Sequence, residues 1–194
     1  MKSFAVVPAT LAAALCLALS GCGMPGESRS FQVLAKDAEP LRTAFNNDVG
    51  RTRVLMLVGP TCGVCLRGAA DIESTVLARN NDPRLRGYVV WVPMLGAREL
   101  DVPEATRTVP DPRAEHYWNP GGELMDATAS VLGLDQQAWD VYLGYGPTAR
   151  WDGAPPPKPD FWMHQLGGTE VGAPRLDAAA FEARTAELLS RPVQ

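Results

Sequence analysis

The chain has 194 residues, about one domain's worth and enough to bury a real core. With 46% hydrophobic and 21% charged residues it is ordinary globular material, which excludes a disordered polypeptide. The formal charge is −4 and no segment carries a Lys/Arg cluster, which argues against nucleic acid as a partner.

Lys2 opens a short basic start, and an apolar run follows from Phe4 to Leu19, broken only by Pro8 and Thr10. A charged start, an apolar stretch and small residues at a cut site make a secretory signal. The run is short for a spanning helix, which needs about 20 apolar residues. It ends in "LSGC", Leu19 to Cys22, which resembles the bacterial lipobox. On that resemblance residues 1–21 are a leader, Cys22 is the lipidated first residue of the mature chain, residues 22–30 are a tether, and residues 31–194 form the domain. A plain signal peptide cut nearby, or a retained anchor helix, are the other readings of the same stretch. Gly23 rather than Asp after the cysteine favours the outer membrane, by analogy with better-known envelopes. Losing Lys2 takes the mature chain from −4 to about −5.

The four cysteines are Cys16, Cys22, Cys62 and Cys65. Cys16 leaves with the leader and lipid caps Cys22, so one thiol pair remains. In an oxidising envelope compartment such a pair will respond to redox conditions.

Along the chain, Asp37 to Asn47 reads as a first helix, with Pro40 in its first turn and Leu41, Ala44 and Phe45 on one face. Val54 to Val58 is a continuous apolar run, suited to a strand buried on both faces and ended by Gly59 and Pro60. From Gly63 the period changes: Leu66, Ala69, Ala70, Val76 and Leu77 share a helical face until "NNDP" stops it. Tyr88 to Leu95 is the next strand, so strand, helix and strand make a parallel unit. Ala97 to Arg107 reads as a short helix limited by Pro103, Glu115 to Trp118 as extended, and Asn119 to Gly122 as a turn. Glu123 to Leu132 reads as a helix ending at Gly133, and Trp139 to Tyr145 as a strand. A loop stiffened by Pro155 to Pro157 leads to a final strand, Phe161 to Leu166, and a helix capped by Asp177. No internal repeat and no second core is visible.

The apolar strand, the Cys62-Gly63-Val64-Cys65 sequence opening a helix, the second parallel strand, and later two strands and a helix resemble the thioredoxin superfamily. His116 to Leu134, "HYWNPGGELMDATASVLGL", is similar to the insertion of TlpA-like and peroxiredoxin-like members. The resemblance implies a single α/β domain of thioredoxin-like fold, a central mixed β-sheet flanked by helices. It makes Cys62 the nucleophile and Cys65 the resolving thiol, with no cofactor beyond the dithiol/disulfide itself. The first turn of a helix offers free N–H groups and a partial positive charge, which favours a reactive thiolate at Cys62. Cys65, one turn in, can attack a mixed disulfide at Cys62 and release the substrate.

The surroundings depart from the family. Thr61 stands where thioredoxins usually have Trp, and Val64 where they have Pro. Met56 takes the place of a buried acid that moves protons during resolution. The expected cis-proline facing the cysteines falls near Trp139 or Asp140, and neither is proline. That leaves room for a narrower substrate or a metal. Asp140, if it faces the cysteines, would repel a thiolate or serve as the missing proton acceptor.

The function expected is a membrane-anchored envelope thiol–disulfide oxidoreductase. Its partners would be protein thiols and disulfides, with a second redox protein to recycle the pair. Two alternatives stand beside it. One is a metallochaperone holding Cu(I) or Hg(II) through Cys62 and Cys65, with His164 as a further ligand. The other is a non-catalytic binding module.

Overall fold

The computed structural model describes residues 27–167 and 171–192. Cys22, the leader and the tether up to residue 26 lie outside the described residues. Six strands build one mixed sheet: β1 (Phe31–Val33), β2 (Thr52–Val58), β3 (Leu85–Trp91), β4 (Ala114–Trp118), β5 (Val141–Tyr145) and β6 (Phe161–His164), in the spatial order β1-β4-β3-β2-β5-β6. The first four run parallel, while β5 runs against β2 and β6 against β5.

Every residue of β2 is buried, as a central strand covered on both faces requires. Val54, Met56 and Val58 face a core shared with α2 (Gly63–Ile72), the short α3 (Val102–Ala105) and α5 (Ala178–Leu189). Leu55 and Leu57 face a second core formed with α1 (Leu41–Asn47) and α4 (Glu123–Leu132). The result is helix, sheet and helix in three layers, as the resemblance implied. Among the described residues no helix is long and apolar enough to cross a membrane.

Several boundaries move for local reasons. The first helix begins at Leu41 because Ala38 is left-handed (φ 64°) and Pro40 occupies the cap. The second helix widens at Glu73–Leu77 into a π-turn, with Ala78 N–H bonding the Glu73 carbonyl at 2.8 Å. The third strand stops at Trp91, since Pro93 and a left-handed Leu95 (φ 56°) break the extended run. Ala97 to Arg107 divides into three short turns, Glu99–Asp101, Val102–Ala105 and Thr106–Thr108. The edge strand β1 has no counterpart in the sequence reading, and the supposed tether is already docked at Arg29, whose N–H donates to Thr106 Oγ1 at 2.8 Å.

Two buried polar side chains organise the scaffold. Arg53 on β2 is fully buried, with its guanidinium 4.2 Å above the Phe45 ring. It donates to the carbonyls of Phe45 (3.0 Å), Ala149 (3.0 Å) and Gly146 (2.6 Å), pinning α1 and the loop after β5 to the sheet. His116 on β4 accepts from Trp91 Nε1 at Nδ1 (3.2 Å) and donates from Nε2 to the Val109 carbonyl (3.0 Å). Burial pushes its pKa down to about 4, so the ring is neutral at pH 7.

Candidate active site

The site lies where β2 and β3 end and β5 begins, at one end of the central strands. Past Val58 the chain turns through Gly59, Pro60 and Thr61 and enters α2 with Cys62 as N-cap. The Cys62 sulfur accepts the Cys65 N–H at 3.2 Å, using one of the free donors of the first turn. Cys62 is 6% exposed and Cys65 is fully covered. Both are free thiols. Thr61, Gly63 and Val64 form the exposed rim around Cys62. Gly59 is needed behind them: a Cβ there would stand 3.2 Å from Cys62 Cβ and 3.9 Å from Cys65 Sγ.

Asp140 closes the site from the opposite side. It is 2% exposed and immediately precedes β5, with φ 55°, a left-handed conformation that Asp tolerates better than most residues. The Cys62 sulfur, the Cys65 sulfur and an Asp140 carboxylate oxygen all lie within 4.8 Å of one another. Two side chains hold the carboxylate. The Tyr142 hydroxyl donates to Asp140 Oδ1 at 2.7 Å. The Gln165 amide, with its nitrogen turned inward, is placed to donate to Asp140 Oδ1 (3.1 Å), the Val64 carbonyl (3.1 Å) and the Tyr142 hydroxyl (3.2 Å). Gly68 on α2 makes room for this group, since a Cβ there would run into the Tyr142 hydroxyl and the Gln165 amide.

The electrostatics follow from burial. Burial first, then the hydrogen bond with Cys62 and the charge of Asp140, push the Cys65 thiol far up. Burial also raises the Asp140 carboxyl, while Tyr142 and Cys65 beside it pull the other way. Cys65 therefore does not ionise by itself at neutral pH, and the nearest group able to take its proton is a carboxyl of raised proton affinity. Met56 is indeed apolar and buried, but its register partner on β5 is Tyr142. The polar function missing from β2 is carried by the neighbouring strand.

Of the residues singled out from sequence, Cys62, Cys65 and Asp140 come together. His164 does not join them. Its Nε2 donates to the Ala173 carbonyl (3.2 Å) and its Nδ1 accepts from the Leu166 N–H (3.1 Å), so backbone partners occupy both nitrogens. This corrects the expectation of Cys62, Cys65 and His164 as one ligand set. Tyr142 and Gln165 were not anticipated. For Tyr142 the signal was its place two residues after Asp140 in a stretch that reads as a strand, a spacing that puts both on one face; Gln165 had none.

The parallel β2–α2–β3 unit, the antiparallel β5–β6 pair with its closing helix, and the Cys-x-x-Cys at the start of α2 are the arrangement that the resemblance to the thioredoxin superfamily implies. No protein-family model and no curated protein matches the chain. Solved structures similar to it include MTB dsbF (15% identity, 74% of this chain and 84% of that one, TM-score 0.46). Another is a secreted Mycobacterium tuberculosis disulfide oxidoreductase homologous to E. coli DsbE (12%, 73% and 85%, TM-score 0.45). A third is the exposed lipoprotein thioredoxin Etrx1 of Streptococcus pneumoniae (12%, 82% and 100%, TM-score 0.46).

Proposed function

We propose that this chain is a thiol–disulfide oxidoreductase of the bacterial cell envelope, anchored through lipid on Cys22. The observation that carries the redox reading is the buried Asp140 carboxylate set against a buried Cys65 thiol, one helical turn behind the capping Cys62. Cys62 thiolate attacks one sulfur of a substrate disulfide, forming a mixed disulfide and expelling the other substrate sulfur as thiolate. Cys65 then gives its proton to Asp140 and attacks the Cys62 sulfur. The second substrate sulfur leaves and the Cys62–Cys65 disulfide closes. The protein pair is oxidised and the substrate reduced by the same two electrons. Run backwards, the steps donate a disulfide, with Asp140 returning the proton to Cys65.

A recycling redox protein resets the pair after each turnover. The exposed rim of Thr61, Gly63 and Val64 suits contact with an extended protein substrate. The "LSGC" sequence supports the anchor, and with it a periplasm-facing location, the outer membrane favoured over the inner.

The test is a redox titration of the full chain in detergent, followed by thiol trapping and mass spectrometry. The Cys62–Cys65 pair should interconvert within the envelope range, and a Cys65→Ser chain should capture mixed disulfides in cells. A pair that stays reduced at every accessible potential, together with an empty trap, overturns the reading. For the anchor, Cys22→Ser should leave the precursor unprocessed; normal cleavage and release would remove the lipid from the proposal.

A further inference from the structure

We infer that the reduced site also binds one Zn²⁺ through Cys62, Cys65 and Asp140, and that the bound ion holds the pair in its dithiol state. The inference rests on the reading of Cys62 and Cys65 as the reactive pair and adds a regulator of that pair.

The geometry is close to what the ion requires. Zn–S bonds of about 2.3 Å in a tetrahedron place two sulfurs about 3.8 Å apart. A Zn–O bond of about 2.1 Å places the oxygen about 3.6 Å from each sulfur. The three donor atoms here already lie within 4.8 Å of one another, so side-chain adjustments of about an ångström complete the set. Among the described residues this is the one cluster of three or more such donors with ligand spacing.

The donor chemistry selects the ion. Two thiolates alone suit linear Cu(I), which has no use for a hard carboxylate oxygen. Two sulfurs and one oxygen suit borderline Zn²⁺, with water in a fourth position. Cys62 is the most exposed of the three, which provides the side for that water.

The surroundings are built as a second layer of support. Tyr142 and Gln165 bond Oδ1 of Asp140, fixing the carboxylate, and the Cys65 N–H already bonds the Cys62 sulfur. Binding exchanges protons for metal: Zn²⁺ displaces the two thiol protons to solvent, and the carboxyl proton where Asp140 carries one. The ion offsets the negative charge of two thiolates and a carboxylate enclosed together. While it is bound, neither sulfur is free to attack a disulfide, and removal by a chelator restores the dithiol.

The experiment titrates the full reduced chain in detergent with Zn²⁺ against a chromophoric chelator, recording stoichiometry and proton release. Co²⁺ serves as a spectroscopic substitute. Expected are one Zn²⁺ per reduced chain, at least two protons released, thiolate-to-cobalt charge-transfer absorption, and no binding once the pair is oxidised. Asp140→Asn should weaken Zn²⁺ at least about tenfold, while Asp140→His, which keeps a ligand at that position, should retain it. Absence of Zn²⁺ binding by the reduced wild-type chain overturns the inference, whatever the variants do. So does equal affinity in Asp140→Asn, which would leave a site of two thiolates only. If the metal-free chain forms mixed disulfides yet takes up no Zn²⁺, the zinc site falls alone. If it binds Zn²⁺ but never forms mixed disulfides, the site stands and the oxidoreductase reading falls.

Discussion

Arg53 and Asp140 are both buried ions at opposite ends of neighbouring strands, and the chain treats them in opposite ways. Arg53 meets three fixed backbone carbonyls and an aromatic face, and a guanidinium does not lose its proton. Its charge is permanent, and both terminal nitrogens hold α1 and a loop. Asp140 meets two side-chain donors and two thiols, and its proton affinity is raised by burial. A proton can arrive and leave there without unpicking the backbone. A buried charge whose partners are all backbone is structural, whereas one facing titratable groups is poised for chemistry.

The sharpest break between the two is Arg53→Met. It leaves the carbonyls of Phe45, Ala149 and Gly146 without their donor, and should cost about 3–5 kcal/mol in chemical denaturation. Any protein that survives should keep normal thiol reactivity. His116 supplies a third kind of buried polar group, one that is neutral. Its folded pKa lies below its unfolded value, so the unfolded chain binds the extra proton. Stability is therefore complete above about 6.5 and falls as pH drops towards about 4, by on the order of 3 kcal/mol, and a His116→Asn chain should lose this slope.

Asp140→Asn keeps a residue that tolerates the left-handed backbone but removes the base. Stopped-flow measurements should show initial attack by Cys62 unchanged and resolution by Cys65 slowed about 10²-fold. The folded wild type binds a proton more tightly at Asp140 than the unfolded chain does, so its stability falls as pH rises above 3.8. The variant lacks that loss and should gain relative stability toward neutral pH. Equal resolution rates would return Asp140 to the structural class of Arg53. Smallest is Tyr142→Phe, which removes one donor from the carboxylate and should cost about 1–2 kcal/mol of stability, with a milder slowing of resolution.

Much of this was legible in one sequence. The apolar run at Val54–Val58, the Cys-x-x-Cys at a change of period, and the helix stopping at Gly133 are local signals, and the fold kept them. Asp140 could be singled out because a position expected to hold proline holds a carboxylate. Other features depend on partners distant in the chain. Arg53 marked the end of the apolar run, yet it belongs to β2 because carbonyls some 90 residues away receive it. The three residues of β1 are too few for their alternation to signal a strand; pairing with β4 makes them one. Gln165 lay inside what read as a strand to Leu166, and reaches Asp140 because β6 ends one residue earlier. His164 looked like a ligand until the backbone claimed both its nitrogens.

Gly68 carries a warning for anyone improving this protein. A glycine inside a helix gives up about 1 kcal/mol relative to alanine, and a stability screen would choose Gly68→Ala first. Here the missing methyl is the socket for the Tyr142 hydroxyl. Filling it would drive the tyrosine off the carboxylate that faces Cys65, the proposed proton acceptor. In engineering terms, the weakest residue in α2 is the one to leave alone.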